Sequence, residues 1–301
     1  MARVGDGVEM VDEATLAAEQ GLVLEAEEGA PDPGLLHGLR ATRLPYYRPV
    51  AGLRDELFKL LEAVRKGETS PDDALEELSS LPYRDLGFAR VDVHRELRQG
   101  APEAVLAEGK TPEQVARIAE ALLDGGAGSV LVTRASDEVR RAVRDVAADA
   151  EEDEQARCVW VARGVPGPRG VVVIVSAGTS DGPVLHEARI RAELLGTTVL
   201  VHEDAGVAGV HRLASVLPDI ERADCVVVVA GMDGALASLV GGLASAPVIG
   251  IPTSVGYGSA RGGRTALNAM LASCAAGLAV VGIDDGLGAG TIAARIARGR
   301  E

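Results

Sequence analysis

A loop of small polar residues follows an apolar pentapeptide in the second half of the sequence. The run VVVIV, residues 171–175, leads into SAGTSDGP, residues 176–183. Hydroxyl groups, glycine N–H groups and an exposed helix N-terminus together bind phosphate oxygens, and a nearby carboxylate can accept hydrogen bonds from ribose hydroxyls. The candidate binding residues of this loop are Ser176, Gly178, Thr179, Ser180 and Asp181. The loop therefore predicts a nucleotide site, although an ordinary turn capped by Ser180 or Asp181 explains the same residues equally well.

Four further segments of glycine and polar residues follow apolar runs. They are HEDAGVAGVHR (202–212), GMDGA (231–235), PTSVGYGSARGG (252–263) and DDGLGAG (284–290). Their candidate binding residues are Asp204, His211, Arg212, Ser254 and Arg261. The first three can bind phosphate or carboxylate groups, and a solvated helix face is an equally good explanation for His211.

The usual fingerprints of nucleotide-dependent enzymes fit poorly. The sequence has no G-x-x-x-x-G-K-[ST], and GYGSAR and GLGAGT each lack the third glycine of G-x-G-x-x-G. This argues against a P-loop enzyme and a dinucleotide-dependent oxidoreductase. The cysteines Cys158, Cys225 and Cys274 are widely spaced and show no metal-binding pattern, so the sequence predicts neither a zinc site nor a disulfide framework.

The polar loops follow strands of a predicted parallel sheet. Apolar runs at 171–175, 198–201, 225–230, 246–251 and 278–283 alternate with predicted helices at about 183–195, 207–222, 233–245 and 262–276. Strands that are apolar throughout are covered by helices on both faces. The pattern predicts a doubly wound α/β domain of about five strands. In such domains, ligands bind beyond the carboxyl ends of the strands, where these loops begin.

A smaller α/β domain is expected before this one. Helices are predicted at 53–67 and 70–81, from Thr111 and near 137–150, and strands near 86–93, 103–107, 129–133 and 158–162. The Pro- and Gly-rich segment RGVPGPRG predicts a linker. We divide the chain into a variable, mobile leader (1–52), a small α/β domain (53–165) and the doubly wound domain (166–301).

Charge and hydropathy exclude several classes of partner. The formal net charge is −15 and no basic stripe is present, which argues against nucleic acid. No apolar run reaches the roughly 18 residues that a membrane helix needs, and the first 20 residues lack the apolar region of a secretory signal. We therefore expect a cytoplasmic protein with no membrane partner.

The order of motifs resembles a known family. SAGTSD, AGMDGAL, APVIGIPTSVGYG, ALNAMLASCAAG and VVGIDDGLGAG resemble the LarB family, whose carboxylase domain is similar to PurE, the aminoimidazole ribonucleotide carboxylase. Upstream, LLEAVRKGETSPDDALEEL, ARVDVHRELRQGAPEAVLAEGKT and VLVTR resemble the amino-terminal domain that LarB proteins carry and PurE lacks. The resemblance covers about residues 53–301, and both domains in this order make it specific.

The resemblance implies a pyridinium-3,5-biscarboxylic acid mononucleotide synthase. Such an enzyme carboxylates position five of the pyridinium ring of nicotinic acid adenine dinucleotide with CO2 or bicarbonate. It also hydrolyses the phosphoanhydride and releases AMP, in the first step of nickel-pincer nucleotide biosynthesis. The resemblance makes Cys274 the thiolate that attacks the ring, whereas the residue alone, set in a predicted helix, is typical of a small buried side chain. Cys158 and Cys225 are expected to be core residues.

Asp233 is chosen as the general base, where the family is expected to have glutamate. Its alternative role is to cap the next helix. Arg261, beside three glycines, is expected to hold the nicotinate carboxylate. No organic cofactor is expected, and a magnesium ion on the phosphates is left open. The protein is expected to be a homo-octamer that passes its product to downstream enzymes. Two alternatives stay open: a PurE-type aminoimidazole ribonucleotide carboxylase and a non-catalytic nucleotide sensor.

Overall fold

The computed structural model describes residues 22–26, 39–43, 51–74, 83–93 and 95–299. The chain divides into two compact units, Met1–Val50 and Ala51–Glu301. In the first unit, strands β1 (Leu22–Ala26) and β2 (Leu39–Arg43) form an antiparallel pair that sequence analysis did not predict. Most of the leader predicted at 1–52 lies outside the described residues.

The second unit begins with a small α/β domain. Its elements are α1 (Ala51–Lys66), β3 (Arg84–Asp85), β4 (Arg90–Val91), α2 (Arg95–Gln99), β5 (Ala104–Leu106), α3 (Pro112–Asp124), β6 (Ser129–Thr133), α4 (Asp137–Val146), β7 (Glu151–Asp153) and β8 (Cys158–Ala162). One sheet has the order β5-β6-β8-β7, in which β5 and β6 are parallel and the other pairs are antiparallel. Strands β3 and β4 form a separate short hairpin.

Local sequence explains the helices of this domain. Thr111 Oγ1 accepts a hydrogen bond from the Gln114 N–H, and Gln114 Oε1 accepts one from the Thr111 N–H, so that α3 starts with a capping box. The Ser70 Oγ likewise accepts from the Asp73 N–H (3.1 Å) at the start of the helical turn 71–74. The rest of the helix predicted at 70–81 lies mainly outside the described residues.

Two predictions for this domain are corrected. The strand expected near 86–93 is only the two-residue β4, because Gly87 adopts a φ of +84° and turns the chain between β3 and β4. The helix expected to reach residue 150 ends at Val146, since Ala147 is already extended (φ −140°, ψ 93°). The strand β7 then follows, which sequence analysis did not predict.

The doubly wound domain predicted from the apolar runs is confirmed. Its strands are β9 (Val171–Ser176), β10 (Thr198–His202), β11 (Cys225–Ala230), β12 (Val248–Pro252) and β13 (Leu278–Val280). Its helices are α5 (Gly182–Leu194), α6 (His211–Ala214), α7 (Leu217–Glu221), α8 (Ala235–Leu243), α9 (Arg264–Leu271) and α10 (Gly286–Ala297). All five strands are parallel, in the order β10-β9-β11-β12-β13.

Alternate residues of the strands enter two cores, one on each face of the sheet. Val173 and Val175 of β9 belong to the core that includes Leu236 of α8. Val172 and Ile174 belong to the opposite core, which includes residues of α5 and α10. A further cluster joins the two domains: Leu131, Ala156 and Cys158 come from the small domain, and Ile190 and Leu194 come from α5.

Three predicted segments of the doubly wound domain differ from the structure. The region 207–222 is divided into a 3-10 turn (Val207–Gly209) and the short helices α6 and α7. The segment DDGLGAG is a loop only at residues 284–285, because its glycines lie inside α10. A Cβ on Gly290 would lie 2.5 Å from the Ala188 carbonyl oxygen, so glycine there lets α10 approach α5 closely.

The third difference concerns Cys274. The helix predicted at 262–276 is the 3-10 segment Gly258–Gly263 followed by α9, which ends at Leu271. Cys274 is therefore not in a helix, as sequence analysis expected. It lies in the connection between α9 and β13 and is exposed.

Candidate active site

The strand order creates a crevice at one edge of the sheet. Strand β9 has β10 on one side and β11 on the other, so the connections after β9 and β11 leave in opposite directions. All five strands are parallel, and their carboxyl ends lie at one edge. The structure therefore brings together the predicted segments 176–183, 202–212, 231–235 and 252–263 and the turn 284–285.

Asp181 is the buried carboxyl group of this edge, with only 3% of its surface exposed. Its Oδ2 accepts a hydrogen bond from the Gly178 N–H (2.9 Å), and its Oδ1 accepts one from the Thr253 hydroxyl (2.7 Å). Burial raises the pKa of Asp181, while hydrogen bonds from Thr253, Gly178 and Gly231 oppose that shift. Asp181 makes no side-chain cap to α5, so its carboxylate instead fixes the loop after β9 to β12.

The hydroxyl groups of the same loop have two different surroundings. Ser176 is buried: its Oγ donates to the Gly178 carbonyl (3.3 Å) and accepts from the Asp204 N–H (3.3 Å). Thr179 and Ser180 are exposed, immediately before the N-terminus of α5. The residues that can meet a phosphate are therefore Thr179 and Ser180, and Ser176 links two loops.

An ion pair occupies the loop after β10. Arg212 Nη1 lies 2.6 Å from Asp204 Oδ1, and Arg212 Nη2 donates to the Gly206 carbonyl (3.4 Å). The two charges compensate each other at the crevice. His211 is exposed at the first position of α6, and Arg261 is exposed in the 3-10 segment after β12.

Ser254 and Asp233 lie on the neighbouring loops. Ser254 is exposed, and its N–H donates to Asp284 Oδ1 (2.8 Å). Asp233 is exposed after β11, and its Oδ1 accepts from the Ala235 N–H (3.2 Å) at the start of α8. The alternative role considered for Asp233, the N-cap of α8, is wrong: Gly234 takes that position, and α8 has no side-chain cap.

Cys274 lies at the other edge of the sheet. Helix α9 starts near the carboxyl end of β12 and runs back toward the amino end, and Cys274 follows the end of α9. Three residues later, the Gly277 carbonyl accepts from the Val248 N–H at the start of β12. Strand β12 has five residues, each advancing about 3.3 Å, so the amino and carboxyl edges of the sheet, where the strands begin and end, lie roughly 15 Å apart. Among the described residues, no hydrogen bond or ion pair joins Cys274 to the loops at the carboxyl ends of the strands, and the hydroxyl of its neighbour Ser273 accepts from Ser238 of α8 (2.8 Å).

The other two cysteines belong to the core. Cys158 and Cys225 are buried, and burial raises the pKa of each thiol to about 12. Both thiols therefore stay protonated near neutral pH, which is the state of an unreactive cysteine.

Sequence analysis missed several residues around the crevice. Thr253 is fully buried and holds Asp181, and Asp284 accepts from the Ser254 N–H. Burial raises the pKa of Glu187, on α5, to about 7; Arg134 and the N–H groups at the start of α10 lower it, and Asp285 raises it. Their positions in the sequence could have identified Thr253 and Asp284, because both follow a predicted strand.

The part of the chain that the structure describes holds no group of three or more His, Cys, Asp or Glu side chains arranged for a metal ion. Within the same residues, no helix combines the length and the apolar character needed to span a bilayer.

Two family models match separate parts of the chain. Residues 83–163 match the LarB/PurE-like N-terminal domain, and residues 171–301 match AIR carboxylase. The uncharacterized protein MJ0165 of Methanocaldococcus jannaschii is 35% identical over 254 residues, which cover 80% of this chain and 97% of that protein.

Two crystal structures from Treponema denticola are also similar. PurE is 19% identical and covers 42% of this chain, and a PurE2 variant is 21% identical and covers 40%. In each case the match spans 76% of the other chain with a TM-score of 0.34.

Proposed function

We propose a specific reaction for this chain, which belongs to the LarB family and carries a carboxylase-type domain. The reaction is carboxylation of the pyridinium ring of nicotinic acid adenine dinucleotide at position five, with hydrolysis of the phosphoanhydride. The products are pyridinium-3,5-biscarboxylic acid mononucleotide and AMP. The observation that carries the proposal is the LarB-type amino-terminal domain directly before the carboxylase domain, because PurE enzymes lack that domain.

The crevice suits the mononucleotide half of this substrate. Thr179 and Ser180 present hydroxyl groups next to the N-terminus of α5, where N–H groups and the helix dipole favour a phosphate. Asp181 and Thr253 hold this loop against β12, so that its donors are ordered before the ligand arrives. Arg261 is exposed on the neighbouring loop, where its guanidinium can pair with the nicotinate carboxylate.

A thiolate explains how an electron-poor ring can attack CO2. Addition of the Cys274 sulfur to the ring carbon next to position five forms a carbon–sulfur bond and cancels the positive charge of the ring nitrogen. Position five becomes the nucleophilic carbon of an enamine and forms a carbon–carbon bond to CO2. A base then takes the proton from position five, and the returning electron pair expels the thiolate and restores the aromatic pyridinium.

The position of Cys274 supports an active site that draws on more than one copy of the chain. The sulfur must approach the ring to about 3.5 Å, whereas the two edges of the sheet are roughly 15 Å apart. We therefore assign each active site to the loop cluster of one copy and Cys274 of another. A homo-octamer, as expected from the PurE-like assembly, would supply that second copy. Asp233 remains our candidate for the base, because it is exposed on the loop edge.

The test combines turnover with mapping of the thiol. Purified protein is incubated with labelled bicarbonate and nicotinic acid adenine dinucleotide, and the labelled mononucleotide and AMP are quantified together. A mass adduct on Cys274 is expected, with buried Cys158 and Cys225 as unmodified internal controls. Binding without AMP release would instead support the nucleotide sensor.

One alternative enzyme has an observation in its favour. Residues 171–301 match the AIR carboxylase family, which favours a PurE-type reaction on aminoimidazole ribonucleotide. That imidazole is already nucleophilic and needs no thiolate. Turnover of aminoimidazole ribonucleotide that persists in Cys274→Ser, with none of the pyridinium substrate, would select this alternative.

A further inference from the structure

We propose that Arg134 of the amino-terminal domain is a positioning residue for the crevice and acts through Asp284 on the loop that carries Ser254. The inference rests on the proposed function only in taking this crevice as the active site. It gives the amino-terminal domain a role in the chemistry of the carboxylase domain.

The backbone at Arg134 is held in an unusual conformation. Arg134 directly follows β6 and has a φ of +52°, which a residue other than glycine rarely adopts. The Arg157 carbonyl accepts from the Ala135 N–H (2.7 Å), and the Arg134 carbonyl accepts from Arg157 Nη2 (3.4 Å). The turn is therefore tied to the next strand of its own sheet.

The Arg134 side chain reaches from the small domain to the carboxylase domain. Its Nη2 donates to the Asp284 carbonyl (3.1 Å), while its Nη1 lies 3.4 Å from Glu108 Oε2. Glu108 belongs to the small domain and holds the guanidinium from that side. A planar guanidinium can make both contacts at once, whereas the compact ammonium group of a lysine cannot make them with the same geometry.

Asp284 connects Arg134 to the crevice through hydrogen bonds. It also has a positive φ, of +58°, and its N–H donates to the Pro252 carbonyl (2.9 Å). Its Oδ1 accepts from the Ser254 N–H (2.8 Å), and its charge contributes to the raised pKa of Asp181. A left-handed aspartate is held in place by its surroundings, and Arg134 is the contact from the other domain that does so.

Charge explains why an arginine suits this place. The carboxylates of Asp285 and Glu187 interact at the start of α10, and Asp285 Oδ1 accepts from the Gly288 N–H (2.7 Å). The positive charge of Arg134 lowers the pKa of Glu187 and so offsets repulsion among these carboxylates. Without it, the turn 284–285 would lose both a hydrogen bond and its compensating charge.

The experiment measures amide hydrogen exchange without any ligand. In Arg134→Gln, exchange of the Ser254 amide should be at least threefold faster than in the wild type. Arg134→Lys should restore part of the protection. The matched control is Arg141→Gln in the same domain, whose arginine is exposed and pairs with Asp137 and Glu138 of its own helix; it should leave Ser254 unchanged. The melting temperature should hardly change, since the Arg134 side chain is 40% exposed.

Kinetics provide the second measurement. With nicotinic acid adenine dinucleotide, Arg134→Gln should raise KM several-fold, and Arg134→Lys should raise it less. An unchanged Ser254 exchange rate overturns the positioning role, and so does faster exchange throughout β6 and β9 together with a lower melting temperature. If the wild type does not turn over the substrate, the proposed function fails, while the exchange result still decides the role of Arg134.

Discussion

Mixing two inactive variants should restore activity if each active site draws on two copies of the chain. Cys274→Ser removes the thiol at the amino edge of the sheet. Asp181→Ala removes the carboxylate that accepts from Gly178 and Thr253 at the carboxyl edge. Each variant alone should be inactive, because every site in its assembly lacks one of the two parts.

The expected recovery follows from the separation of the two edges. If the roughly 15 Å between the two ends of the strands keeps the thiol from the ring within one chain, each site takes its loops and its thiol from different copies. With equal amounts of the two chains assembled at random, about one quarter of the sites in a symmetric assembly combine an intact loop edge with an intact thiol. Co-expressed chains should therefore show about a quarter of wild-type carboxylation.

The assay is incorporation of labelled bicarbonate by co-expressed, differently tagged chains, with mixed assembly verified by native mass spectrometry. The control pairs Asp181→Ala with Thr253→Val, which places both lesions on the same edge and should give no more activity than the single variants. Mixed assemblies that stay inactive would refute the shared site. Full activity of Cys274→Ser alone would refute the thiol mechanism.

Three further predictions concern single residues. Ser180→Ala should weaken substrate binding by about 1–2 kcal/mol with little change in kcat, measured by calorimetry and initial rates, because it removes one exposed phosphate donor; an unchanged affinity would exclude Ser180 from the site. The folded-state pKa of Glu187 is raised from 4.5 to about 7, so its contribution to stability is present below pH 4.5 and is lost as pH rises through 7. Glu187→Gln should flatten that dependence by up to about 3 kcal/mol in urea unfolding at pH 5 and pH 8, and equal slopes in both proteins would contradict it. Gly290→Ala should destabilise the fold by about 1–3 kcal/mol in the same assay, because the added Cβ would lie 2.5 Å from the Ala188 carbonyl oxygen; unchanged stability would show that α10 is free to move.

The sheet was predictable from sequence because its signal is local and repeated. Five apolar runs separated by helical segments allow few arrangements, and β9 and β11 begin and end within one residue of the predicted limits. Helix α10 was missed since its glycines are typical of loops, whereas in the structure they permit close packing on α5. That requirement depends on Ala188, about a hundred residues earlier in the chain.

The candidate site was predictable only as a set of loops. Parallel strands place their carboxyl ends together, so the meeting of Asp181, Ser254 and Asp233 at one edge follows from the strand pattern. The individual roles did not follow. Nothing local shows that Ser176 faces inward or that Thr253 holds Asp181, because both depend on pairing between distant segments. The position of Cys274 depended on where α9 ends, and helix ends are poorly marked in an alanine-rich segment.

The apolar cluster between the two domains affects how this chain can be divided. Ile190 and Leu194 of α5 are covered by Leu131, Ala156 and Cys158 of the small domain. On the same helix, the buried Arg191 donates to the Pro102 carbonyl (3.2 Å). Truncation of the chain at the linker would expose this apolar strip on the carboxylase fragment and remove the Pro102 partner of Arg191, and an exposed apolar strip is prone to aggregation. The two domains should therefore evolve together, because a substitution on α5 is compatible only with particular residues of the small domain that packs on it.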